Sequence, residues 1–201
     1  MASSAPIHAA VDEHVALHIS SAAAATPEAL DALGVTHVVN VSVNGPMPLR
    51  STEPQYESMH IAIDDDLSAP LHEHLDAAAD FIDAALSSGG RVCVFSANDQ
   101  CAACAVAAFY LMRQHGRSLA EALGAMQARP NVGFWQRLIE AESWLRAAPP
   151  SMSIQQYRWA YLEASRPTED RGALLQQLEL GLQEVQALVH RHSFTPVQKN
   201  I

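Results

Sequence analysis

Apolar positions along the chain switch between short solid runs and a three-to-four spacing, and the switches mark out its elements. Val15-Ala-Leu-His-Ile19 is a short run that predicts a strand, and Val38-Val-Asn-Val-Ser-Val43, rich in β-branched residues, predicts a buried one. Met59-His-Ile-Ala-Ile63 predicts a third strand, and the apolar Arg91-Val-Cys-Val-Phe95 predicts a strand in mid-sheet. Between them Thr26, Pro27 and Glu28 have the chemistry of a helix start, and Gly34 ends that helix just after Leu33. Leu75, Ala78, Ala79, Ile82 and Leu86 recur at helical spacing over 71–86, and Gly89-Gly90 stops them. A helix is expected through Ala105–Met112 to Gly116. Ser118-Leu-Ala-Glu121 is a capping box opening another that Pro130 halts, and a further helix covers Phe134–Arg146. Strands alternating with helices predict an α/β fold with a central sheet.

After Pro149-Pro150 the pattern changes. Ser153–Ala164 reads as a short helix holding Tyr157, Trp159 and Tyr161, and Thr168 caps a longer one running to about His190. In that helix Leu175, Leu178, Leu182, Val185 and Val189 form a heptad-like apolar stripe. The stripe either docks on its own domain or presents a face to a partner, since a helix of this length is marginal alone in water. The chain therefore divides into an N-terminal segment, 1–14, a domain over 15–148, and a helical extension over 149–201.

Composition narrows the partners. The 201 residues are 49% hydrophobic and 17% charged, as in a folded protein. With 22 Asp and Glu against 12 Lys and Arg, the net charge of -10 repels phosphate backbones and anionic headgroups, so neither nucleic acid nor a membrane surface is expected as a partner. No run reaches the roughly 18 apolar residues of a membrane span. The first residues have neither the apolar run of a signal peptide nor the Arg-rich, acid-poor character of a transit peptide. Cys93, Cys101 and Cys104 are odd in number and clustered, unlike a secreted disulfide framework, so a reducing compartment is expected.

Leu17–Ala22, Leu33–Ser42, Ile61–Asp65, Gly89–Val94 and Asn131–Phe134, in that order between Val15 and Trp144, resemble the dual-specificity protein phosphatase family. Leu17-His-Ile-Ser-Ser-Ala22 stands where that family has its opening strand and turn, and Leu33-Gly-Val-Thr-His-Val-Val-Asn-Val-Ser42 is close to its "LGITHVLNV" strand. Ile61-Ala-Ile-Asp-Asp65 matches the stretch that carries the general-acid Asp, which puts Asp65 in that position. Phe81-Ile82, Gly89–Val94, Tyr110-Leu-Met112 and Ser118–Ala122 match the elements on either side of the catalytic loop. Arg129-Pro130, Asn131-Val-Gly-Phe134 and Gln136-Arg-Leu138 match the family's closing "RP…N.GF..QL". The resemblance implies a central mixed sheet flanked by helices, to which the C-terminal helical extension is added.

The same alignment removes the chemistry. The family's catalytic loop reads H-C-x-x-G-x-x-R-[S/T], and the aligned residues here run from Phe95 to Ala103. Phe95 replaces the His, Ser96 the nucleophilic Cys, Asp99 the turn Gly, Ala102 the phosphate-binding Arg and Ala103 the final hydroxyl. The reaction needs a low-pKa thiolate, and a serine hydroxyl without a base is no substitute. The Arg is a bidentate clamp on the phosphoryl group, which a methyl cannot replace, and Asp99 adds charge where the dianion belongs. The resemblance thus implies an inactive member, a pseudophosphatase with no catalytic residues, no cofactor and no small-molecule substrate. Its role is expected to be that of a protein-binding or structural scaffold subunit in the cytoplasm, within a cytoskeletal or other large assembly.

Two rival readings attach to the same residues. An active phosphatase with relocated chemistry would draw on Cys101, five residues past the nucleophile position. Cys101-Ala-Ala-Cys104 also resembles half of a metal or redox motif, but zinc needs four ligands and no second C-x-x-C exists. His72-x-His74 and His190-x-His192 are distant in sequence, so no metal site is expected and the cysteines read as core. His37 and His60 read as structural, and Asp64-Asp65-Asp66 as a solvated acidic loop unless Asp65 has work to do.

Overall fold

The computed structural model describes residues 16–45, 47–50, 54–97, 101–126 and 130–156, with isolated positions at 172, 173, 176, 179, 180 and 183. Among the described residues four strands form one sheet: β1 (Leu17–Ser21), β2 (His37–Val41), β3 (Glu57–Ile61) and β4 (Val92–Ser96), in the order β1-β4-β2-β3. The implied mixed sheet is refined here: each of the three pairings among the described residues is parallel. Parallel strands are covered on both faces, which is why β4 and β2 read as nearly unbroken apolar runs. β4 lies in the middle with all five residues buried, and its register puts Ser96 beside Ser21 on one side and Val41 on the other.

Alternate residues of each strand point to opposite faces. Val38, Cys93 and Phe95 pack with Ala25, Leu30, Val35 and Tyr56 on the side of α1 (Pro27–Ala32). Leu17, Ile19, Val39, Val41, Val92 and Val94 join the larger core. That core holds α2 (Leu75–Ser87), α3 (Cys101–His115), α4 (Leu119–Gly124) and α5 (Val132–Arg146). Residues Cys101 to Met112 of α3 are all buried, as expected of a helix that is apolar on every side. Arg113, at its far end, reaches Asp80 at 2.8 Å.

The helix ends follow their capping residues. The Ala29 N–H donates to Thr26 Oγ1, Ser118 and Glu121 form the reciprocal box, and the Phe134 N–H donates to Asn131 Oδ1 at 2.9 Å. Two helices depart from the sequence pattern. The apolar run over 71–86 begins as a 3-10 turn, Leu71–Glu73, and becomes α-helical only at Leu75. Helix α4 stops at Gly124, well before Pro130, because glycine gives up the most backbone entropy inside a helix. The crossover from β2 to β3 is tied to α1 by Arg50, which pairs with Asp31 at 2.7 Å, donates to the Val35 carbonyl and lies over the Tyr56 ring.

The domain's packing continues past 148. Glu142 is fully buried, and its carboxylate accepts from the Leu119 N–H at 2.9 Å and the Ser151 N–H at 2.8 Å. Met152 and Ile154 pack on the larger core. Residues 154–156 are helical, as are the six isolated positions between 172 and 183, all six of them exposed. The stripe residues Leu175, Leu178, Leu182, Val185 and Val189 lie outside the described residues, as do the N-terminal segment 1–14, Tyr157, Trp159, Tyr161, Thr168 and His190. Among the described residues no helix is long and apolar enough to cross a membrane.

Candidate functional site

The site expected from the sequence lies where β4 hands over to α3, at the carboxyl ends of the strands. Positions 98–100 of this connection, Asp99 among them, lie outside the described residues. Ser96 closes β4, only 2% exposed, and its carbonyl accepts from the Ala22 N–H at 2.8 Å. Phe95 points to the opposite face, into the cluster with Cys93 and Tyr56. Ala102 and Ala103, in the first turn of α3, are core residues at 2% and 0% exposure. Ala102 and Ala103 therefore give this wall a methyl surface, with no side chain on α3 charged before Arg113.

The facing wall is polar. Beyond β3 the chain enters the acidic stretch, where Asp64, Asp65 and Asp66 are exposed. Asp66 accepts from both the Ser68 hydroxyl and the Ser68 N–H, and these bonds hold its carboxyl below the ordinary carboxylate range. Asp65 accepts from the Asn131 amide Nδ2 at 2.7 Å. The backbone N–H of Asn131 donates to Cys101 Sγ at 2.7 Å, and the Cys101 thiol donates to Asp65. Asp65, Asn131 and Cys101 thus close a triangle joining the acidic loop, the start of α5 and the start of α3. Gly133 permits that closeness: a Cβ there would overlap the Leu67 carbonyl.

The electrostatics of the thiols follow from burial. The Cys101 thiol is pushed far above its ordinary value, first by burial, then by its hydrogen bond to Asp65 and by that residue's charge. The Asn131 N–H pulls the other way and does not prevail. Cys93 and Cys104 are each pushed up to about 12 by burial. A protonated, buried thiol is a poor nucleophile, because the thiolate is the reactive species. All three cysteines are free. The expectation that they belong to the core holds, and Cys101 has hydrogen-bonding work there besides.

Sequence reasoning placed Asp65 in a solvated loop and Asn131 in the closing family pattern, without joining them. The only available signal was that Asn131 stands ahead of an apolar helix, where its side chain caps the first turn and its amide remains free to bond elsewhere. His60 fits its structural reading, since its Nε2 bonds the Ser42 carbonyl at 2.7 Å. His37 does too, with its Nδ1 on Thr36 Oγ1 at 2.8 Å.

The parallel sheet, the buried helix after β4 and the acidic loop opposite are the architecture of a protein-tyrosine-phosphatase-like fold. The model of the dual specificity phosphatase catalytic domain matches residues 17–144, and the chain belongs to the dual-specificity phosphatase family. It is similar to human dual specificity phosphatase 28, at 34% identity over 146 residues that cover 67% of this chain and 81% of the relative. The crystal structure of that human protein superposes with a TM-score of 0.61 at 34% identity, covering 70% of this chain and 98% of the other. The human tyrosine phosphatase-like serine/threonine/tyrosine-interacting protein shares the fold at 21% identity, with a TM-score of 0.55 and coverage of 73% and 93%.

Proposed function

We propose that this chain is a catalytically inactive member of its family that serves as a protein-binding or scaffold subunit of a larger assembly. The observation that carries the reading is the apolar wall. Ser96 stands at the nucleophile position without a thiol, and Ala102 at the clamp position is a buried methyl. Neither supplies a thiolate or a bidentate cation for a phosphoryl group. Asp65, at the general-acid position, is already hydrogen-bonded to Asn131 and Cys101. The rival reading, with Cys101 as a relocated nucleophile, is disfavoured by the burial and the Asp65 contact that keep its thiol protonated.

The test is hydrolysis of phosphotyrosine and phosphothreonine peptides by the purified chain across a broad pH range, beside Ser96→Ala and Cys101→Ser. No turnover above background is expected. Turnover lost in Ser96→Ala would overturn the reading, and turnover lost in Cys101→Ser would establish the rival. The partner is a protein, in a cytoplasmic assembly, and the stripe from Leu175 to Val189 is the anchor. Leu178→Asp with Leu182→Asp should abolish partner recovery while the domain's thermal midpoint stays fixed. A midpoint that falls by many degrees with recovery per folded molecule unchanged would return the stripe to the domain's own core.

A further inference from the structure

Two buried thiols and a buried thioether that the scaffold reading leaves unused lie at the start of α3 and just past α4. Cys101 and Cys104 are three residues apart on α3, so they share a face with Cβ atoms about 5–6 Å apart. The Cys104 thiol donates to Met126 Sδ at 3.8 Å, just past the end of α4. Exposures of 8%, 0% and 7% for Cys101, Cys104 and Met126 put all three inside.

Donor chemistry decides what such a group takes. Among the described residues no three of His, Cys, Asp and Glu are grouped to hold a metal ion. The donor set here is two thiols and a thioether, and soft sulfur ligands of this kind select Cu(I). With bonds of about 2.3 Å, two sulfurs sharing a three-coordinate ion stand about 4.0 Å apart. The Cys104–Met126 separation of 3.8 Å is within a few tenths of an ångström of that.

We propose that Cys101, Cys104 and Met126 form a binding site for one Cu(I) ion at the start of α3. Uptake balances as one Cu(I) entering and two thiol protons leaving, which leaves a singly negative sulfur centre. The N-terminal end of the 15-residue α3 faces that charge, and the Asn131 N–H already points at Cys101 Sγ at 2.7 Å. Asp65 opposes it from the loop side, so its contact with Cys101 opens when the thiol is metallated. Cys101, at the solvent end of the group, is the entry point. The site does not depend on the loss of phosphatase activity.

The test is an anaerobic titration of the full-length chain with Cu(I) in competition with bicinchoninate. One Cu(I) per chain is expected, held by three sulfurs at about 2.3 Å in X-ray absorption. Because two protons leave, affinity should rise by up to about 100-fold per pH unit. Cys101→Ser and Cys104→Ser should each weaken binding by about 100-fold and Met126→Leu by about tenfold, at the scale of losing a ligand or its support. Cys93→Ser should match the parent. Circular dichroism establishes that each variant is folded, and Cu(I) should raise the thermal midpoint of the parent but not of the two serine variants. Copper left entirely with the chelator, a nitrogen or oxygen shell, or parent-like affinity in folded Cys104→Ser would each overturn the proposal.

Discussion

The two walls that face each other at the carboxyl ends of β3 and β4 are held in place by different forces. The wall built by β4 and α3 is packed: Ser96, Ala102 and Ala103 are buried among apolar neighbours. The wall built by the acidic loop and the start of α5 is bonded: Asp65 joins Asn131 and Cys101, and the Leu67 carbonyl lies against Gly133. Packing has no direction, so a catalytic side chain on the first wall is exchangeable for a methyl with no partner left stranded. Hydrogen bonds are directional, and removing the carboxylate from the second wall strands a donor. On the reading proposed above, chemistry was erased on the wall where erasure costs little, and the carboxylate was retained where it supports the fold.

The sharpest way to break this comparison is to rebuild the packed wall alone. Ser96→Cys by itself should stay at background, because one missing preorganised donor at a developing charge costs about 10²–10³ in rate. Ser96→Cys with Asp99→Gly and Ala102→Arg should give measurable turnover of a phosphotyrosine peptide, lost again on adding Asp65→Asn. Activity from the single change would show that the packed wall retains far more of the machinery than its side chains suggest.

A smaller effect tests the bonded wall. Gly133→Ala pushes a methyl into the Leu67 backbone carbonyl, which cannot swing aside as a side chain does. Overpacking of this kind costs about 1–3 kcal/mol, read as a lowered midpoint in denaturant melts. An unchanged melt would mean that the loop and α5 are not in register at this contact. Asp65→Ala comes next, at about 1 kcal/mol for a lost hydrogen bond on an exposed carboxylate, with Asp65→Asn recovering part of it. Equal stability of all three proteins would leave Asp65 as a solvated loop residue and erase the difference between the walls.

The smallest expected effect lies away from both walls, on β1. His18 is buried, both of its ring nitrogens lack a partner among the described residues, and burial first and Arg91 second lower its pKa from 6.5. The folded state therefore holds the neutral ring, while the unfolded chain takes up a proton below that ordinary value. Stability from this residue is constant above about pH 6.5 and falls as the pH drops below it, down to the lowered folded value. His18→Phe should flatten that part of the stability–pH curve without moving the assays of the two walls.

Much of this was legible in the sequence because it is local. Solid apolar runs marked all four strands, Ser118 with Glu121 announced a capped helix, and Gly89-Gly90 marked the turn before β4. Near its ends the local pattern was less reliable: it ran one helix through the 3-10 turn at 71–73 and carried α4 beyond Gly124. The first error arises because apolar spacing records which residues face the core but not how tightly each turn is wound, and the second because Gly124 ends its helix before the proline does.

The residue sequence by itself determined the element order and the apolar run that becomes most of α3. Only the tertiary structure decided that the sheet pairings are parallel in the order β1-β4-β2-β3, and that Asp65 meets Asn131 across 66 positions of chain. It likewise brought Cys104 to Met126 and buried the Glu142 carboxylate against Leu119 and Ser151. A strand's pattern states that it has two covered faces without naming its neighbours. A polar residue's need for a partner is equally silent until chain closure brings one within hydrogen-bonding distance.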